Sequence, residues 1–248
     1  MKIIILIFLF LFPIFANDNI DAYQIIKHLK SSFIPNDISI HYSYTLSKTI
    51  NDLKKEKKRE IMIHQKFYND KEYHFKSLIN FIYPKQIKGT SILIWENIDS
   101  SKSYRSIFIP GINREKELNS KNKQSFMGLE FNIIEFYDIL NNNNYHMLND
   151  KDVNYVDYYR LKSKNDYDNQ IIWVSKNNLD LKKIEFFNKS DLMIRSIEVF
   201  NLVKIDDIRL LTEFVVYDHL KKTQLTFRTI DYQINSNLSE TIFQKKIK

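Results

Sequence analysis

Two periods divide the chain. Between residues 19 and 32 the apolar residues Ile20, Tyr23, Ile26 and Leu29 recur at three-residue spacing, with Asp18 or Asn19 available as a cap and Pro35 beyond, which predicts one amphipathic helix. From Ile38 the period becomes two: Ile38, Ile40, Tyr42, Tyr44 and Leu46 alternate with polar residues, as in a strand with one dry face and one wet face. Similar runs predict strands over 59–68, 73–83, 90–96, 104–109, 156–162, 170–174, 181–188, 192–203, 208–217 and 224–233, about eleven in all. The joints are short and polar, such as Asn69-Asp70, Asn188 to Asp191 and Asp206-Asp207, lengths that suit antiparallel hairpins and a meander. Two shorter helical patterns cover 133–140 and 238–247, the second with Ser236 or Asn237 as its cap.

The first residues break this pattern. Ile3 to Phe15 is an uncharged apolar run, interrupted only by Pro13 and followed by Ala16 and the polar residues Asn17-Asp18-Asn19, the layout of a cleavable signal peptide. It is shorter than the ~20 residues that span a bilayer. The expectation is a signal peptide over 1–16, export to the periplasm, and one mature domain over 17–248.

Composition changes the picture mainly by exclusion. With no cysteine there is no disulfide, no thiolate metal site and no lipid-modified N-terminal cysteine. The formal net charge of +7 could suggest an anionic partner, but Lys, Asn, Ile, Phe and Tyr are abundant together, as AT-rich coding produces. The densest basic stretch, Lys54 to Arg59, reads as a solvated hairpin loop, and no nucleic-acid partner is expected. The six histidines stand at no metal-ligand spacing, and no GxSxG, GxxxxGK[ST] or GxGxxG motif occurs. We therefore expect no metal, no cofactor and no enzyme activity.

Only three glycines occur, Gly89, Gly111 and Gly128, all between residues 84 and 131, where Pro84 and Pro110 also fall. A chain so sparing of glycine is expected to keep it where the backbone needs φ > 0 or a close approach. That same stretch carries a family resemblance. Tyr83 to Trp95 (YPKQIKGTSILIW) resembles the "P…hKGTxhLhW" stretch of the outer-membrane lipoprotein-sorting proteins, a LolA-like family. Ile107 to Pro110 resembles that family's "hYhP" strand end, and Gln124 to Phe131 its "SFMGSDF" motif. More loosely, Ile172 to Lys176 resembles its "WVDK" strand and Asn237 to Phe243 its closing "N…LxDxxF" element, so the likeness covers roughly residues 75 to 246. Where the family commonly reads "RRI" after the "hYhP" strand, this chain has Lys116-Glu117-Leu118.

The resemblance implies a mainly β (α+β) fold, a curved antiparallel sheet forming an incomplete, half β-barrel with helices across its open mouth. It implies an apolar cavity for lipid or lipoprotein acyl chains, delivered by an inner-membrane transporter. The expected lining or gating residues are Leu93, Trp95, Phe108, Phe126, Met127 and Phe131, with Pro84, Gly89, Pro110 and Gly128 as structural positions. The competing reading is a periplasmic sensor or adaptor of the same fold that binds a protein and transports no lipid.

Overall fold

The computed structural model describes residues 20–50, 53–68, 72–118, 139–140, 144–148, 156–163 and 169–245. The proposed signal peptide, the glycine Gly128 and the aromatic stretch around Phe126 lie outside them.

Helix α1 (Ala22–Phe33) begins at Asp21, whose carboxylate accepts from the Gln24 backbone while the Gln24 side chain accepts from the Asp21 backbone. This reciprocal capping box displaces the start from the expected Asp18 or Asn19. Ala22, Ile25, Ile26, Leu29 and Phe33 form its buried stripe, and the helix stops at Ile34, ahead of Pro35.

Thirteen strands among the described residues join one antiparallel sheet. In chain order they are β1 (Asp37–Ile50), β2 (Leu53–Phe67), β3 (Tyr73–Tyr83), β4 (Ser91–Asn97), β5 (Tyr104–Ile109), β6 (Arg114–Glu117), β7 (Tyr145–Met147), β8 (Tyr158–Ser163), β9 (Asn169–Ser175), β10 (Leu181–Phe187), β11 (Met193–Ile205), β12 (Ile208–Asp218) and β13 (Thr223–Ile234). Neighbours follow sequence order in two meanders, β1 to β6 and β7 to β13, welded by the β1–β13 pair. The sheet does not close, since β6 and β7 are its two ends. It is curved, and α1 lies on its concave face, touching both β12 and β7.

The count exceeds eleven because β6 and β7 are edge strands of four and three residues, too short to show an alternation. The basic run is also not a loop. Lys54 to Lys58 are exposed but continue β2, each opposite a residue of β1 from Thr49 back to Thr45, because a ladder of backbone hydrogen bonds needs no apolar side chains. At the other end, the predicted helix over 238–247 shrinks to a 3-10 turn at Glu240–Phe243 capped by Ser239, and before it the chain turns through left-handed Asn235 and Asn237. Asp206 at φ 51° makes the two-residue turn between Ile205 and Ile208, as that pair of aspartates foretold.

One buried cluster holds α1 against the concave face, from Ile79 and Ile92 on β3 and β4 round to Leu161 on β8, and includes Ile139 and Leu140.

Candidate functional site

Period-two alternation turns one set of side chains inward along neighbouring strands. On β2 the inward set is Ile61, Ile63, Gln65 and Phe67; Ile63 lies opposite Ile40 of β1 on one side and Ile79 of β3 on the other. These residues, with Ile38 and Tyr42 of β1, form one wall of a cavity of about 120 Å³. Phe33, Ile34 and Pro35 at the end of α1, Leu140, and Ile208 to Leu211, Phe214 and Phe227 complete it. Phe214 and Phe227 stack with centroids 4.6 Å apart, and the Tyr42 ring stands edge-on to both at 5.9 Å.

Polar groups at this wall are few. The Tyr42 hydroxyl donates to the Leu211 carbonyl at 3.2 Å, and burial holds its phenol well above the ordinary value. Arg209 spends its guanidinium on structure: Nε donates to Asp180 at 2.8 Å, Nη1 to the Ser32 hydroxyl at 2.7 Å, and Nη2 to the Asn178 carbonyl at 2.9 Å. Because Ser32 belongs to α1, this fork ties the end of the helix to β12 and to the β9–β10 turn. His28, one turn earlier, is held below its usual value by burial first and by Arg209 second. Among the described residues no cluster of three or more His, Asp or Glu could hold a metal ion.

The six residues expected to line or gate the cavity fall in two groups. Phe126, Met127 and Phe131 lie outside the described residues. Leu93, Trp95 and Phe108 sit on the other face of the sheet. Cross-strand pairs share a face, and Leu93 pairs with Leu78, Trp95 with Lys76 and Tyr104, and Phe108 with Ser91, whereas Ile92 and Ile94 face inward with Ile79 and the core. None of the three is among the cavity-lining residues.

On that outer face the C-terminal segment forms a strap. The buried Asp37 carboxylate accepts from the Ser236 hydroxyl and from the backbone N–H groups of Ser236, Asn237 and Leu238 at 2.8–3.4 Å. Glu240 pairs with Lys66 at 2.9 Å and Lys76 at 3.4 Å and accepts from Tyr68. The Trp95 indole donates to the Phe243 carbonyl at 2.9 Å, with the Phe243 ring buried and the Lys245 ammonium 3.6 Å from the centroid of the Tyr104 ring. Two motif stretches nearly 150 residues apart thus meet at Trp95 and Phe243.

Of the structural positions, Gly89 adopts φ +84°, and a Cβ there would come within 3.1 Å of Pro110 Cγ, so it meets both reasons for keeping a glycine. Pro84 opens the turn that Gly89 closes, its carbonyl accepting from Ile87 at 3.0 Å. Gly111 has open space around it, and Gly128 lies outside the described residues. The cavity residues missed in the sequence had one visible mark: a glutamine, Gln65, in the inward register of an otherwise apolar series.

The model of a family described as "Uncharacterized protein" matches residues 74–247, about seven-tenths of the chain. No curated protein matches the sequence. Among solved structures, the chain is similar to a DUF1329 family protein from Desulfovibrio piger, with 19% identity, a TM-score of 0.74, and coverage of 90% of this chain and 95% of that one. It is similar to a structure from Vibrio parahaemolyticus described as an outer-membrane lipoprotein-sorting protein domain, at 20% identity and TM-score 0.73, covering 89% and 95%. A LolA superfamily protein from Nitrosomonas europaea matches at 19% identity and TM-score 0.63, covering 91% and 98%.

Proposed function

We propose that this chain, a member of the LolA-like family whose model matches residues 74–247, is a periplasmic carrier that shelters the acyl chains of a lipid or lipoprotein between inner and outer membrane. The observation that carries this reading is the apolar cavity between α1 and the concave face. An extracted acyl chain in water costs about 0.8 kcal/mol per methylene, on the order of 12 kcal/mol for sixteen carbons, and an apolar hollow is what offsets that. The present hollow, about 120 Å³, is close to the ~150 Å³ apolar cavity that accepts a benzene. A whole acyl chain therefore enters only as α1 moves off the sheet. Phe126, Met127 and Phe131 keep their proposed place as lining or gating residues, and residues 1–16 their proposed role as the export signal.

The test is to fill the hollow. Ile63 stands at the middle of the wall, and Ile63→Trp should occupy the space an acyl chain needs while the strands keep their register. The expected outcome is saturable uptake of a fluorescent fatty acid by the native protein and at least about tenfold weaker uptake by the variant, with cooperative unfolding retained in both. No uptake by the native protein, or undiminished uptake by the variant, would remove the cavity as the lipid site.

A further inference from the structure

Among the described residues that line the cavity, the hydrogen-bonding groups of Tyr42 and Arg209 are taken up by protein partners, but Gln65 is different. Its side chain is 4% exposed, and its Nε2 is buried without a hydrogen-bond partner. Directly opposite it in the β2–β3 register is Ser77, wholly buried, whose Oγ has no partner either. Both belong to the inward series, Gln65 with Ile63 and Ser77 with Ile79; Gln65 lines the cavity, and Ser77 is its wholly buried cross-strand neighbour, not itself a lining residue. Residues paired this way hold their Cβ atoms about 4.5–5.5 Å apart, so a carboxamide and a hydroxyl sit together as one polar notch in a hydrocarbon wall. Buried donors are almost always satisfied, and leaving one unpaired is more costly than replacing it with an apolar group.

We infer that this notch holds the carbonyl oxygen of an ester- or amide-linked acyl chain lying in the cavity. The inference rests on the carrier reading and narrows it to a ligand class. A plain hydrocarbon would leave both groups unsatisfied. A fatty carboxylate can fill the hollow with its chain but must keep its charge away from the neutral Gln65 amide, since the cation lining the same cavity, Arg209, is already paired with Asp180. A neutral carbonyl oxygen accepts from the Gln65 amide, which the buried Ser77 hydroxyl beside it can orient, and brings no charge to desolvate.

The experiment compares 1-palmitoyl-lysophosphatidylcholine with its 1-O-hexadecyl ether analogue, which shares head group and chain but lacks the carbonyl oxygen. Each displaces a fluorescent fatty acid from the native protein, Gln65→Leu and Ser77→Ala. The native protein should prefer the ester by about three- to tenfold, the worth of one or two net hydrogen bonds. Gln65→Leu should bind the two compounds alike, Ser77→Ala should show a reduced preference, and ligand-free Gln65→Leu should melt at or above the native temperature. Equal native affinity for ester and ether overturns the inference and leaves the carrier standing; failure of both compounds to displace the probe overturns the notch, and failure of the probe itself to bind overturns the carrier too. A lower melting temperature for both variants with the ester preference unchanged means that Gln65 and Ser77 simply pair with each other, which also overturns it.

Discussion

The two faces of the β2–β4 segment are built from the same alternating strands and end up doing opposite things. Inward, Ile61, Ile63 and Ile79 line a hollow whose polar groups are sparse and, at Gln65 with the buried Ser77 opposite it, unpaired. Outward, Lys66, Lys76, Trp95 and the end residue Asp37 hold a strap in which each named donor or acceptor has a partner. Packing alone would close both faces. The difference teaches that the fold secures its chain end by directional bonds on one side and leaves non-directional, reversible apolar contact on the other, where a ligand can replace it.

The strongest way to break the comparison is to cut the strap at its root. Asp37→Ala leaves the backbone donors of Ser236, Asn237 and Leu238 without their shared acceptor in a buried place, a loss of about 3–5 kcal/mol. At roughly 2–4 °C per kcal/mol for a domain of this size, the melting temperature should fall by about 6–20 °C, read by thermal unfolding. Because the strap is on the face away from the hollow, fluorescent fatty-acid uptake below the transition should change little. A large loss of uptake with an unchanged melting temperature would mean that the two faces are not separable as described.

On the cavity side the corresponding directional element is the Arg209 fork. Arg209→Ala removes three hydrogen bonds and leaves Asp180 without its cation, at about 2–4 kcal/mol, somewhat less than Asp37 because the site is closer to solvent. Here uptake should change together with stability, because the fork holds the end of α1 over the hollow. Amide hydrogen exchange across 22–33 should rise more than in β1 or β13. Equal protection of α1 in variant and native protein would show that Arg209 does not hold the helix.

Much of this is legible in the sequence. Alternation located the eleven longer strands, two-residue turns such as Asp206-Asp207 set their hairpins, and the motif around Gly89 announced a backbone constraint that Pro110 turns out to impose. The hollow was harder to read. Period two says which residues share a face but not which face meets α1, so Leu93 and Trp95 looked as good a lining as Ile63 and Ile79. That choice is made at long range, by where Ser32 meets Arg209 and where Asp37 catches the strap, partners that lie 177 and about 200 positions apart. Edge strands β6 and β7 take their state from β5 and β8 beside them, which no local pattern records.

The smallest expected effect separates two outer-face groups, His64 and Glu240, by pH, with His28 of α1 titrating alongside the first. His64 is held below its usual 6.5 by burial, and His28 by burial and then by Arg209. For both, the folded state binds a proton less readily than the unfolded chain, so their contribution is complete above about pH 6.5 and is lost as pH falls through that value. Glu240 behaves as a carboxylate with a lowered value: burial pushes it up, but hydrogen bonds from Lys66 and Tyr68 and the charge of Lys76 more than offset this. Its contribution is present above about 4.5, its ordinary value, and is lost only below it. Melting curves from pH 7.5 downward should therefore fall in two steps, a shallow one that begins below about 6.5 and a second below about 4.5. His64→Gln should shrink the first step, His28 keeping the rest, and leave the second, whereas Glu240→Gln should lower stability at neutral pH and flatten the second alone. If Glu240→Gln instead removed the upper step, the assignment of the neutral-pH loss to the buried histidines would be wrong.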